Sequence, residues 1–189
     1  MSDNSQQTFV SRAGEKLAAA LDAFGLNPAG WTCADFGANV GGFTDCLLQR
    51  GAAKVYAIDT GYGDLAWKLR NDPRVVVMER QNAMHVVLPG KVDFITIDTS
   101  WTKLEKVAPN ALLNLKPEGR IITLVKPHYE ADQPRLIKGK LPEESISEVL
   151  NEVKSKLKEL GLEILGETES PILGEKGKNK EFLFYLKRA

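Results

Sequence analysis

Cysteine is nearly absent: the 189-residue chain has two, Cys33 and Cys46, with no metal-ligand spacing between them. That excludes a disulfide framework, and in their apolar surroundings the two read as buried thiols of a reducing compartment. Histidine is as scarce. His85 and His128 stand far apart and form no cluster with the cysteines, so no metal site is expected. Net charge is missing too, with 25 Lys and Arg against 25 Asp and Glu. The balance excludes strong whole-molecule attraction to a polyanion, while a local basic patch remains open. No apolar run approaches the roughly 20 residues needed to span a bilayer. The opening MSDNSQQTF lacks the apolar stretch of a secretory signal. A cytoplasmic location with no membrane partner is expected. Repeats and low-complexity tracts are also lacking. What remains is 43% hydrophobic and 26% charged, the composition of a folded chain. Its length predicts one domain over residues 11–189 behind a disordered tail at 1–10.

Hydrophobic patterning predicts an alternation of strands and helices. Ser11 is placed to cap a helix over Arg12–Phe24, which Gly25 and Pro28 end. Strands are predicted at Thr32–Phe36, Lys54–Asp59, Arg74–Glu79, Val92–Asp98 and Arg120–Lys126, and helices at Gly42–Arg50, Asp64–Arg70 and Lys103–Leu115. Runs such as VYAI and IITLV are apolar throughout, as strands buried on both faces of a parallel sheet must be. After Lys126 the stretch HYEADQPRLIKGKLP reads as a loop. An amphipathic helix follows at Glu143–Leu160, with acids at its start, lysines at its end and Gly161 as its stop. Strand-like Glu163–Glu169 and Glu181–Lys187 flank the turn SPILGEKGKNK and predict an antiparallel pair at one edge.

The first strand runs into Asp35-Phe36-Gly37-Ala38-Asn39-Val40-Gly41-Gly42-Phe43, where α/β folds hold cofactors. G-x-G-x-x-G is not there, because Asn39 stands where the second glycine should be, and no Walker lysine follows. Phosphate binding is therefore disfavoured. Asp59 closes the second strand, placed for both hydroxyls of a ribose. Asn82 and Ala83 follow the third strand, placed to meet a base, and Asp98 ends the fourth. The set suits S-adenosylmethionine, which carries adenosine and a zwitterionic amino acid without phosphate. Leu65 or Trp67 is placed to flank the adenine, with core packing as the alternative for Trp67.

The segments SRAGEKL (11–17), DFGANVGGFTDCLLQRGA (35–52), VYAIDTGYGDLAWKLRNDPRVV (55–76), DFITIDTSW (93–101), LKPEGRIITLVKPHYE (115–130) and NKEFLFYLKR (179–188) carry a resemblance. They resemble the catalytic domain of the TlyA haemolysin family, within the FtsJ/RrmJ-like class of ribose 2′-O-methyltransferases. The resemblance implies a Rossmann-like SAM-dependent methyltransferase fold, α/β, with a mostly parallel seven-stranded sheet, its last strand antiparallel, and helices on both faces. It makes 11–189 a single FtsJ-like methyltransferase domain. It places a Lys-Asp-Lys-Glu catalytic tetrad on Lys16, Asp98, Lys126 and Glu181, cofactor glycines on Gly37, Gly41 and Gly42, and the ribose acid on Asp59. Asp35, Ala38, Asn39, Phe43, Asn82, Ala83 and Asp98 complete the expected cofactor site. The family usually carries an S4-type RNA-binding domain ahead of the methylase, and here ten residues precede Ser11. Its DVSF appears as Asp98-Thr99-Ser100-Trp101, and its KPQFE as Lys126-Pro127-His128-Tyr129-Glu130. The haemolysin label implies pore formation, for which the sequence offers no suitable amphipathic segment.

Methyl transfer to a ribose hydroxyl needs the oxygen in line with the methyl group and its proton removed. Desolvation would lower the pKa of Lys126 and make it a base, while Asp98 beside it would hold the ammonium form. The sequence leaves that contest open, so Lys126 is general base or hydroxyl positioner, with Asp98 orienting it. Arg12, Lys126, His128 and Lys180 are expected to touch substrate. Arg135, Lys138, Lys140, Lys176 and Lys178 extend a possible phosphate-binding rim. The expected partner is ribosomal RNA or a ribosomal subunit. The alternatives are another RNA, a small hydroxylated substrate, or a non-catalytic protein that binds SAM or RNA.

Overall fold

The computed structural model describes residues 8–174 and 179–189. Strands formed at all seven predicted places, but the fifth begins at Leu115 rather than Arg120. β1 (Thr32–Phe36) and β2 (Lys54–Asp59) keep their expected bounds, followed by β3 (Val75–Glu79), β4 (Val92–Ile97), β5 (Leu115–Val125), β6 (Leu162–Glu169) and β7 (Phe182–Arg188). They form one seven-stranded sheet in the order β3-β2-β1-β4-β5-β7-β6. β1 to β5 run parallel, and β7 lies antiparallel between β5 and β6. The late pair is thus antiparallel as expected, but β7 is interior and β6 is the edge.

Helices cover both faces. On one, α1 (Ala13–Ala23), α2 (Gly42–Gln49) and α3 (Trp67–Arg70) bury Leu17, Leu21, Phe43, Leu47 and Leu69 against Val55, Phe94 and Ile122. On the other, α4 (Leu104–Asn114) and α6 (Glu143–Glu159) bury Val107, Ala111, Val153 and Leu157 against Phe36, Ile95, Ile121 and Phe184. Each of these strands therefore meets a helix layer on both sides, which is why its run is apolar throughout.

Several expectations are corrected. Ser11 does not cap α1: the N-cap is Arg12, without a side-chain bond, and only the Ser11 carbonyl takes part, accepting from Gly14 N at 3.1 Å. α3 begins at Trp67 rather than Asp64, because Ala66 N is drawn to the Val40 carbonyl at 3.0 Å. The segment after Lys126 is not all loop. It folds into α5 (Pro127–Glu130), where proline's fixed φ suits the first helical position, and a 3-10 turn at Gln133–Arg135. Thr8 to Val10 belong to the fold rather than to a frayed tail. Val10 N donates to Asp45 Oδ2 at 2.8 Å, Gln49 Nε2 donates to the Thr8 carbonyl at 3.0 Å, and Phe9 packs over Gly14. Residues 1–7 lie outside the described residues.

Candidate active site

The site sits where β1 and β4 send their chains to opposite faces of the sheet, the switch point at which such folds bind ligands. A cleft of about 340 Å³ opens there, at the carboxyl ends of β1, β2 and β4 and beside the loop after β3. Of the residues expected to hold a cofactor, Gly37, Asn39, Asp59, Asn82, Ala83 and Asp98 line it. Gly37 holds φ +89, and a Cβ there would run into the Asp98 carbonyl oxygen, so this turn requires glycine. Asp59 is pinned by two backbone donors: Asn39 N reaches Oδ2 at 2.9 Å and Gly61 N reaches Oδ1 at 2.7 Å. Each oxygen keeps a lone pair for a hydroxyl in the cleft.

The cleft's chemistry is one-sided. Asp59, Asp64 and Asp98 line it, and among the described residues no lysine or arginine does. Such a wall repels phosphate and suits a cation that carries hydroxyl groups, which S-adenosylmethionine is. Asp64, Gln81 and Thr99 were not singled out from sequence. Their signal was position alone, as polar residues beside strand ends.

The remaining expected cofactor residues lie elsewhere. Phe43 and Ala38 are buried in the helix-face core, and Gly41 packs under Leu65 and Leu69. Gly42 serves packing: a Cβ there would collide with the Ser11 hydroxyl and crowd Ala13, so glycine lets α2 meet the start of α1. Leu65 is buried among these side chains, while Trp67 points to solvent and flanks nothing in the cleft. Asp35 is fully buried behind the cleft, accepting from Thr44 Oγ1 at 2.7 Å and Thr96 Oγ1 at 2.9 Å. Burial pushes its carboxyl up to about 7; the two hydroxyls act against this, and the charge of Asp98 adds to it.

That shift predicts a pH dependence. An unfolded Asp ionises near 4, whereas folded Asp35 keeps its proton until about 7. Stability should therefore fall as pH rises through that window and stay level above it. Urea unfolding at pH 5 and pH 8 should show a drop for the wild type that is smaller in Asp35→Asn, by on the order of a few kcal/mol. An equal drop in both proteins would refute the assignment.

The four tetrad residues converge. Lys126 Nζ lies 2.6 Å from Asp98 Oδ1, and Lys16 Nζ lies 2.5 Å from Glu181 Oε2. Strand register explains the meeting. Val125 pairs with Phe182 across the antiparallel β5–β7 ladder, so Lys126 and Glu181, just beyond the paired ends, face each other. Glu181 precedes its strand rather than opening it. β4 runs beside β5 and delivers Asp98 from the other side, and α1 carries Lys16 across to Glu181. Asp98 Oδ1 accepts no aligned hydrogen bond despite the short ionic contact.

The contest over Lys126 is settled by its neighbours. Burial pulls the ammonium down, but Asp98, Glu181 and Tyr129 outweigh it, and its pKa lies above the ordinary lysine value. Lys126 is a cation in the free protein. His128 goes the other way: burial and then the charge of Lys126 lower it, leaving the ring neutral at pH 7.

Of the other expected substrate residues, Arg12 is exposed at the start of α1, and Lys180 pairs with Glu143 at 2.5 Å. Arg135 is held by Glu148 and Glu152 on α6 rather than turned to the cleft. Lys176 and Lys178 lie outside the described residues. Trp101, at the cleft rim, is 82% exposed in a left-handed conformation with φ +62, and its ring lies 4.8 Å from that of Tyr129. Both cysteines are buried and unpaired; burial is the main cause that raises their thiols, Cys46 to about 12. Among the described residues, no cluster has metal-ligand character and no helix is long and apolar enough to cross a membrane.

A sheet ordered 3-2-1-4-5-7-6 with an antiparallel seventh strand, opening on an acidic cleft beside two lysine–carboxylate pairs, defines a Rossmann-like fold of the methyltransferase class. The chain belongs to the FtsJ-like methyltransferase family, whose model matches residues 9–188. It is 41% identical over 190 residues to the 16S/23S rRNA (cytidine-2′-O)-methyltransferase TlyA of Mycobacterium tuberculosis, covering 97% of this chain and 70% of that protein. Hemolysin A of Brachyspira hyodysenteriae is 40% identical, with 94% of this chain and 76% of that protein covered. A solved candidate hemolysin from Streptococcus thermophilus superposes with a TM-score of 0.93 at 37% identity, over 98% of this chain and 69% of the other.

Proposed function

We propose that the protein transfers a methyl group from S-adenosylmethionine to a ribose 2′-hydroxyl of ribosomal RNA, in the cytoplasm. The observation that carries this reading is the pairing of Lys126 with Asp98 and Lys16 with Glu181 beside a cleft lined by three aspartates. The relatives named for rRNA 2′-O-methylation support the substrate.

The bound cofactor supplies an electrophilic methyl group on a positively charged sulfur. Asp59 would accept the ribose hydroxyls of the adenosine, Asn82 and Ala83 would meet the adenine, and the backbone at Gly37 would allow close approach. Lys126, an ammonium with donors and no acceptor, holds the acceptor oxygen rather than taking its proton. Asp98, whose Oδ1 lies 2.6 Å from Lys126 Nζ, is the carboxylate placed to receive that proton. A hydroxyl attacking that methyl group would become a much stronger acid, so a carboxylate of this chain would be base enough to take its proton. Holding reactants in contact geometry supplies about 7–11 kcal/mol, so alignment outweighs basicity here. Lys16 and Glu181 brace the far side of the acceptor ribose.

Tritiated-methyl transfer to separated ribosomal subunits and naked rRNA, followed by nucleoside analysis, tests the reading. Label is expected in a 2′-O-methyl nucleoside. Label on a base, or no affinity for the cofactor, would overturn it. Asp59→Ala should weaken cofactor binding roughly ten- to a hundredfold in calorimetry, the cost of hydrogen bonds to a charged acceptor. Unchanged affinity would remove Asp59 from the site.

A further inference from the structure

The wall of the acidic cleft nearest the tetrad is the stretch from Asp98 to Thr102, every residue of which lines it. Its near end is anchored in the sheet, where Asp98 N donates to the Phe36 carbonyl at 2.9 Å. Beyond Asp98 that support stops. Among the described residues, no backbone group of Thr99, Ser100, Trp101 or Thr102 is tied by a hydrogen bond. Trp101 also keeps its left-handed φ of +62, which a bulky residue does only where its surroundings impose it. Something outside the sheet must hold this wall.

The turn after Lys126 does so, point by point. Lys126 Nζ lies 2.6 Å from Asp98 Oδ1 and 3.5 Å from the Ser100 hydroxyl. The Tyr129 ring packs against that of Trp101. Glu130 reaches the far end, where its Oε1 accepts from Leu104 N at 2.9 Å, and Lys103 Nζ donates to Asp132 at 2.9 Å. These last two links are unequal. The Asp132 side chain is 79% exposed, so its ion pair contributes little. Glu130 is partly buried and holds backbone rather than a solvated side chain. Leu104 opens α4, and Lys103 at the N-cap makes no side-chain bond, so the Glu130 carboxylate caps this helix from another element. A negative group there also meets the positive end of the helix.

We infer that Glu130 is a positioning residue for the cofactor cleft, acting through Leu104 on the wall from Asp98 to Thr102. The inference rests on the reading of that cleft as the S-adenosylmethionine site. Glu130 does not line the cleft itself. Without its bond to Leu104, the wall is fixed at Asp98 and loose at its far end. A cofactor then has to order the wall on binding, and that cost appears as lost affinity. Once cofactor and acceptor are both bound the wall is back in place, so the rate at saturation changes less.

The test compares wild type with Glu130→Ala and Glu130→Gln. Calorimetry reads cofactor affinity and urea unfolding reads stability. Steady-state transfer to whichever RNA the wild type methylates separates KM from kcat. Glu130→Ala should bind cofactor about tenfold more weakly, the loss expected for one hydrogen bond to a charged group. Its KM for cofactor should rise alike, with kcat within about threefold of wild type. Glutamine keeps an oxygen for Leu104 N, so Glu130→Gln should recover affinity to within about twofold. Wild-type affinity in Glu130→Ala, with only the urea midpoint lowered, would reduce Glu130 to a helix cap and overturn the inference. Equal losses in both variants would overturn it too, by placing the effect outside the bond to Leu104. No affinity of the wild type for cofactor would overturn the reading of the cleft, and the role of Glu130 with it. Cofactor binding without transfer to any RNA would overturn the acceptor alone, and the calorimetric comparison would still decide the role of Glu130.

Discussion

Lys126→Met should lower the rate of methyl transfer by about a hundred- to a thousandfold, the usual loss when one oriented charged donor leaves a reaction centre. Methionine keeps the length and the apolar stem of the buried side chain, so the change isolates the ammonium. Cofactor affinity should stay within a few-fold, because Lys126 does not line the acidic cleft. Lys126→Arg keeps the charge but replaces a compact head with a wide planar fork, and should recover little. The pH profile separates the two roles open to this residue. Lys126 is held above the ordinary lysine range by Asp98, Glu181 and Tyr129, against the pull of burial. If the ammonium positions the oxygen, the wild-type rate is level between about pH 7.5 and 9, well below the ordinary lysine pKa of about 10.4. A rise approaching tenfold per pH unit would instead mean that the neutral amine is the base, and would overturn the positioning role.

Glu181→Leu should cost roughly 3–5 kcal/mol of stability, the penalty for leaving one member of a buried ion pair alone. Lys16 is only 9% exposed and Glu181 3%, so neither can turn to solvent when its partner is removed. Lys16→Met should cost a similar amount. The double variant Lys16→Met/Glu181→Leu should regain most of the loss, since two apolar side chains of similar size remove both desolvation penalties together. Urea denaturation of the four proteins gives the cycle directly. Single-variant losses below about 1 kcal/mol would place the pair among surface ion pairs and remove its structural role. The double variant also carries a functional expectation. It should be folded and bind cofactor, yet transfer methyl groups poorly, because the brace on the acceptor side is gone. Full activity would show that the pair serves only the fold.

These two expectations mark how far the sequence reaches. Tetrad residue types were legible through the family resemblance, and the strand ends through hydrophobic runs bounded by glycine and acid. β1 and β2 match to the residue because buried parallel strands leave little choice in their local pattern. Side-chain direction was less legible. Asp35 and Asp59 both sit at strand ends, yet one is sealed behind Thr44 and Thr96 and the other faces the cleft. Glycines 37, 41 and 42 look alike in the sequence. Gly37 lines the cleft, whereas Gly41 packs beneath α3 and Gly42 lets two helix starts meet.

Sequence alone determined the alternation of strands and helices, the layering with both sheet faces covered, and the disfavour for phosphate. Those follow from local periodicity and from which residues a turn can hold. Only the tertiary structure decided that Lys126 faces Glu181, since residues so distant along the chain meet through the register of an antiparallel ladder. It also decided that Lys126 stays protonated, because the outcome depends on how many carboxylates lie within reach of one buried ammonium.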